Sequence, residues 1–364
     1  MFDICPKATI DLRAIKENYL TMQKLVGDNI TASAVVKNDS YGLGAQRVSQ
    51  SLYEAGCRDF WTAYLKEAID IRRVLPFDAN IYFLQGFSRH DIELMKTYRI
   101  TPVINSINDF NEIKGSGIGF VIHVDTGLSR LGFRPDDIEK ILPFLKDEKI
   151  EYIISHLACS DEKDHPLNIK QKEAFDDVLK KIRTIKYVRA GISATAGAIL
   201  GKDFCYEMVR IGAFLYGIQT DHIIKPKNVF SLKTSVLQKY ELESGISVGY
   251  GATYTTSRKT KIAVISIGYA DGIKRSLSNK GSILFYDNAG KVYKAPICGK
   301  ISMDLIACDI SDIPDHATEI MRDSIILDEN YSINEMAVDA MTIPYEILTS
   351  INFKSKRFEI HYKD

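Results

Sequence analysis

No stretch of this 364-residue chain approaches the roughly 18 apolar residues that a membrane span requires. The opening MFDICPKATIDLRAI carries an acid at once and has no apolar signal core. A cytoplasmic protein is therefore expected. Net charge is missing too: Lys+Arg and Asp+Glu both number 47, so no global field exists to hold a nucleic-acid backbone or an anionic membrane. The expected partner is a small molecule, with no nucleic acid and no membrane. The six cysteines (Cys5, Cys57, Cys159, Cys205, Cys298, Cys308) form no CxxC pair, and the seven histidines never fall at metal-ligand spacing. Reduced, buried thiols and no metal are expected. There is no internal repeat and no low-complexity segment.

What the chain does contain is alternation. Short apolar runs occur at 32–37 (ASAVVK), 59–65, 80–86, 100–105 (ITPVIN), 118–127, 152–158 (YIISHLA), 187–197 and 208–217. Amphipathic stretches lie between them, such as Val48, Leu52 and Ala55, or Phe175, Val178, Leu179 and Ile182. An earlier helix, opened by Asp11 as N-cap, carries Ile15, Tyr19, Met22 and Val26 at the same period. Eight strands alternating with helices predict a (β/α)8 barrel, with a doubly wound open sheet as the alternative. Near Phe230 helical periodicity gives way to short strands and turn signals, including DNAG before Lys291, a hairpin turn. The predicted architecture is α/β: a barrel over 1–229, then an all-β domain over 230–364.

In such a barrel, chemistry gathers at the C-terminal ends of the strands, and phosphate is commonly held after the last two. Lys37 closes the run AVV, where desolvation and nearby cations would lower its pKa and expose a nucleophilic amine. The bland reading is a solvated lysine at a strand end. His156 in IISHLA has a bland reading as a satisfied core residue. Arg210, between Val209 and Ile211, is harder to dismiss, because a guanidinium in an apolar strand keeps its charge and needs acceptors. Thr195 and Gly212 fall where phosphate would sit. An amine, a phosphate cradle and an arginine on one barrel face outline a pyridoxal phosphate pocket.

The string AVVKNDSYGLGA at Lys37 resembles the pyridoxal phosphate attachment signature of the alanine racemase family. Further matches follow in the family's order: ATIDLRAI, HVDTGLSRLGF, SHLACSDE, SATAGA, MVRIGAFLYG, VGYGATYTT, SIGYADG, ICGKISMD and IPYE. The resemblance implies interconversion of L- and D-alanine by a homodimer whose active sites are shared between one subunit's barrel and the other's β domain. It implies that Lys37 holds the cofactor and is one base, and that Tyr250 of the partner subunit is the opposite base. It implies phosphate contacts from Tyr41, Thr195, Gly212, Ala213 and Tyr345, with Arg210 at the pyridine nitrogen and His156 linking Arg210 to the tyrosine. Arg130 and the Met303 backbone amide would receive the substrate carboxylate.

Some positions depart from the family pattern. His123 stands where many members carry a lysine that becomes carbamylated and orients the carboxylate-binding arginine. Ser302 stands for a frequent cysteine, Lys300 for a frequent arginine, and KNDSYG for the usual KANAYG. These bear on rate and substrate breadth more than on reaction type. A racemase of serine, lysine or a broad amino-acid set is the near alternative. A barrel-fold decarboxylase is disfavoured by the arginine of MVRIG, and a single-domain cofactor-homeostasis barrel by the presence of Tyr250 and the β domain. A catalytically dead structural protein is disfavoured because both bases are present.

Overall fold

The computed structural model describes residues 4–220, 223–351 and 358–364. Two compact units emerge from it. One comprises the described residues within 15–40 and 44–226. The other comprises the described residues up to Ala14, the segment Tyr41–Leu43, and the described chain from Lys227 on.

The first unit is the barrel. After the first strand of the chain, β1 (Lys7–Asp11), a helix runs from Leu12 to Val26, where the Asp11 carboxylate accepts the Ala14 N–H at 2.8 Å as an N-cap. Its Ile15, Tyr19, Met22 and Val26 are all buried. Eight parallel strands follow: β2 (Thr31–Val35), β3 (Asp59–Thr62), β4 (Asn80–Phe83), β5 (Ile100–Ile104), β6 (Phe120–His123), β7 (Ile150–Ile154), β8 (Arg189–Gly191) and β9 (Met208–Ile211). Each pairs with the next up to β8, and β9 returns to β2 with Ser33 opposite Arg210. Between β8 and β9 the ring is nearly closed by Glu207 N–H to Ala190 O at 3.1 Å and Arg210 N–H to Ser193 O at 3.0 Å. The open sheet is excluded by that return. At the seam a Cβ on Gly191 would lie 2.4 Å from the Met208 carbonyl oxygen, so only glycine permits the approach.

Barrels of this size are filled by side chains rather than open. Trp61 stacks on Tyr82 at 4.4 Å, and Tyr152 meets Tyr82 edge-on at 5.8 Å. Their polar ends are satisfied inside: Trp61 donates to Ser33 Oγ at 2.9 Å, and the Tyr82 hydroxyl to Asp59 at 2.9 Å. Several strands stop earlier than the apolar runs suggest. The run at 187–197 yields only β8 before the helix Thr195–Leu200 begins, and β7 ends at Ile154, so His156 lies past its strand rather than in it.

The second unit is built around β10 (Phe230–Leu242), a long strand bulged at Leu232/Lys233 and at Val236/Gln238. It pairs with β1, with Asp323–Leu327 and with Thr260–Ile265. The strand Glu359–Lys363 lies parallel to β1 on its other side. The N-terminal strand thus lies in the C-terminal sheet. The DNAG turn joins Ser282–Tyr286 to Val292–Pro296, with Gly290 at φ 78°. The unit is sheet-rich but not purely β: helices Asp315–Ile320, Ile333–Asp339 and Pro344–Ser350 pack Ala317, Met336 and Leu348 inward. Four cysteines are buried as expected, whereas Cys5 and Cys159 are only half-buried; all six are free thiols. No helix among the described residues is long and apolar enough to cross a membrane.

Candidate active site

Lys37 begins a turn of unusual hand. Asn38, Asp39, Ser40 and Tyr41 have φ of 52°, 56°, 55° and 57°. A run of left-handed non-glycine residues costs about 1–2 kcal/mol each and persists only where its surroundings impose it. Asn and Asp tolerate the conformation best, and they occupy the first two positions. Glu67 tethers the start: one carboxylate oxygen accepts the Asn38 N–H at 2.8 Å, the other those of Ala63 at 2.8 Å and Tyr64 at 3.3 Å. The far side is held by Gly44 N–H to Asp39 O at 2.9 Å and Ala45 N–H to the Asp39 side chain at 2.8 Å. The Lys37 amine is half-buried and has no hydrogen-bond partner among the described residues. Burial, then Arg130, lowers its pKa; Glu67 opposes and Arg210 adds to the fall.

Arg210 is buried in β9, and its acceptors are carbonyl oxygens: Gly191 O at 3.0 Å, Ile192 O at 3.4 Å and Ser155 O. Burial pushes its pKa down to about 10, which leaves it charged at neutral pH. Because carbonyls rather than a carboxylate satisfy it, its charge remains uncompensated. His156 turns Nδ1 toward an Arg210 nitrogen at 3.5 Å. Guanidinium only donates, so this edge of the ring is the acceptor and the proton sits on Nε2. Burial first, then Arg210, Arg130, His123 and Lys37, bring its pKa to about 3, so the ring is neutral.

Thr195 opens the helix Thr195–Leu200, and its hydroxyl accepts the Gly212 N–H at 3.2 Å. His123 ends β6, and Arg130 lies in the loop beyond it, exposed. Five groups thus act on one another at the C-terminal strand ends: Lys37, His123, Arg130, His156 and Arg210. The acids that act on them are Glu67 and Asp125, both engaged with backbone amides.

The remaining expected residues belong to the second unit. The Tyr41 ring lies 6.0 Å from that of Tyr345, and burial raises its pKa. Ala213, by contrast, is buried just beyond β9 in the barrel unit. Tyr250 is 68% exposed at the tip of a short hairpin in which Ser247 pairs with Thr255 and Val248 with Tyr254. The Met303 side chain is exposed, while its carbonyl accepts the Ala270 N–H at 3.0 Å. Sequence reasoning missed Glu67 and Asn105, which bonds His123 at 2.8 Å. The signals were an acid in the first turn of the helix Leu65–Arg72 and a polar residue closing ITPVIN.

A nearly closed eight-stranded barrel followed by a sheet-rich unit, with a buried arginine and a lysine amine without a hydrogen-bond partner among the described residues at its strand ends, defines the class as a barrel enzyme with an appended sheet-rich unit. Residues 10–220 match the family model for the alanine racemase N-terminal domain, and residues 229–359 that for the C-terminal domain. The chain belongs to the alanine racemase family. It is 34% identical to the alanine racemase of Rickettsia rickettsii over 96% of this chain and 97% of the relative. It is 36% identical to that of Cereibacter sphaeroides over 96% of each. Among solved structures it resembles the alanine racemase of Bartonella henselae with covalently bound pyridoxal phosphate (TM-score 0.90, 36% identity, 98% and 99% of the two chains covered). It also resembles the biosynthetic alanine racemase of Pseudomonas aeruginosa (TM-score 0.89, 28% identity, 99% and 100% covered).

Proposed function

We propose that this chain interconverts L- and D-alanine with pyridoxal phosphate held on Lys37. The observation that carries the proposal is the half-buried Lys37 amine, without a hydrogen-bond partner among the described residues and with its pKa lowered, among cations whose nearby acids are already engaged. The residues fit the group: an aldehyde needs a neutral amine, and a phosphate with a substrate carboxylate needs the charge that Arg130 and Arg210 leave uncompensated.

Pyridoxal phosphate, when bound, supplies an electron sink that lets an α-proton leave an amino acid. Tyr41, Thr195, Gly212, Ala213 and Tyr345 would hold its phosphate. Arg210 would face the pyridine nitrogen, and as a donor that stays charged it would leave that nitrogen without a proton of its own. Lys37 Nζ would take or return the α-proton on one face, and Tyr250 of the partner subunit on the other. Two opposed bases are what inversion of a carbon centre requires. The exposed Tyr250, without a side-chain bond among the described residues, is free to serve a second copy in a homodimer. His156, neutral with its proton on Nε2, would link Arg210 to that tyrosine. Arg130 and the Met303 amide would receive the substrate carboxylate.

Chiral chromatography after incubation with L-alanine, L-serine and L-lysine tests the activity and its breadth. Borohydride treatment followed by peptide mapping tests the attachment point. D-Alanine as the main product and reduced cofactor on the Lys37 peptide are expected; cofactor on another lysine would refute the assignment.

A further inference from the structure

The sheet around β7 runs out of partners where the site begins. Val124 N–H donates to Ile154 O at 2.8 Å and Ser155 N–H to Gly191 O at 3.2 Å, and among the described residues the strand pairs of β7 end there. The backbone groups that follow, His156 O and Ala158 N–H, are met by one side chain instead. Gln171, in the second turn of the helix Pro166–Arg183, is wholly buried. Its Oε1 accepts the Ala158 N–H at 2.8 Å, and its Nε2 donates to His156 O at 3.0 Å. A peptide N–H only donates and a carbonyl only accepts, so both partners fix which way the amide faces.

The two backbone groups flank Leu157. That is the spacing at which a residue in a parallel sheet gives its N–H to one carbonyl of the neighbouring strand and takes the N–H two residues further on. The Gln171 amide therefore imitates a strand and adds one rung to β7 after β6 and β8 have left it. Leu157 itself is buried in the core cluster with Phe175 and Val178. With that side chain anchored and the peptides on both sides held, His156 keeps its Nδ1 3.5 Å from the Arg210 guanidinium. Nε2 of Gln171 also lies 3.4 Å from Thr126 Oγ1, and that hydroxyl meets Ser155 Oγ at 2.8 Å. Ser155 in turn gives its carbonyl to Arg210. An apolar side chain in place of Gln171 would leave a C=O and an N–H beside His156 unpaired, and the segment would have to move to reach water.

We infer that Gln171 is a positioning residue for His156, its side-chain amide serving as the last rung of β7 that keeps the imidazole against Arg210. The functional consequence rests on the role proposed above for His156, as the link between Arg210 and the partner subunit's tyrosine base.

The test uses the holoenzyme with Gln171→Met, which keeps the length of the side chain without its bonds, and Gln171→Asn, which keeps the amide but is too short to span both groups. In the parent, nitrogen-15 spectra should show a neutral His156 with its proton on Nε2. In Gln171→Met the ring should leave Arg210 and titrate closer to the ordinary 6.5 than to the parent's value of about 3, while His123 stays neutral. Its kcat for alanine should fall about tenfold, the worth of one or two hydrogen bonds, with KM within about threefold of the parent. Isotope effects with α-deuterated L- and D-alanine should move apart, because His156 serves only one of the two bases. Gln171→Asn should fall between the parent and Gln171→Met in each measurement, and it carries the test if Gln171→Met does not fold. His156 signals unchanged in the variants would overturn the inference even if the denaturant midpoint fell, since a side chain that only held the helix would lower the midpoint alone. A KM that rises as far as kcat falls would overturn it too. A parent protein that does not racemise alanine would sink the functional proposal, while the imidazole spectra still decide this one.

Discussion

Glu67→Gln isolates what holds the left-handed turn behind Lys37. The carboxylate serves two places with its two oxygens, Asn38 N–H on one side and Ala63 with Tyr64 on the other. A glutamine has one oxygen and an NH2 group, so one side must lose its acceptor. Ala63 is buried and Asn38 exposed, so water can replace the bond only at Asn38. The amide should keep its oxygen on Ala63 and release Asn38, at about 1 kcal/mol for one exposed hydrogen bond. That shifts an opening equilibrium about fivefold, and the strain of the turn acts in the same direction. Amide exchange at Asn38 through Tyr41 should therefore accelerate about fivefold, with strand amides unchanged. Glu67 also opposes the fall of the Lys37 pKa. With its charge gone, Lys37 should lose its proton at lower pH, and competitive acylation of cofactor-free protein should show its labelling profile moving toward acid. If Asn38 exchange stays within about twofold and the labelling profile does not move, the tether is not what holds the turn.

Two further outcomes are expected. Inactive Lys37→Ala and inactive Tyr250→Phe subunits, mixed under conditions that exchange protomers, should regain activity at one hybrid site per dimer; demonstrated heterodimers without activity would place both bases in one chain. His123 and His156, held near pKa 4 and 3 against an ordinary 6.5, bind protons more readily unfolded than folded. Stability should therefore be fully present above about pH 6.5 and fall as the pH drops toward 4, by up to about 1.4 kcal/mol per pH unit per histidine. Denaturant midpoints of His156→Gln should lose part of that acid sensitivity, and an unaltered slope would mean the ring is not held neutral.

The barrel strands were legible because each lies in an apolar run, and the helix Leu12–Val26 because its stripe and cap both stand in the sequence. Lys37, Arg210 and His156 were legible because a polar group among apolar neighbours asks for a reason. The left-handed turn was not: nothing in KNDSYG demands four such residues in a row, and the tether comes from another βα unit. The helices after Asp315 escaped because two turns are too few to establish a period. β1 read only as the lead-in to a helix, since both its partners, β10 and Glu359–Lys363, lie beyond the whole barrel in the sequence. Asn105 is a plain strand end until its bond to His123 is seen.

The pairing of β1 with both β10 and Glu359–Lys363 has a consequence for how the protein is made. A ribosome releases Lys7 before the barrel strands and both β10 and Glu359–Lys363 after them, so the barrel residues emerge, and can close their ring of neighbouring strands, while β1 still waits for both partners. During that interval β1 is a strand with two open edges beside a growing chain, the kind of segment that pairs with the wrong copy. A nascent chain stalled before residue 230, ahead of both partners, should protect its barrel amides while Lys7–Asp11 exchange freely. Release of Glu359–Lys363 would then cover the second edge of β1.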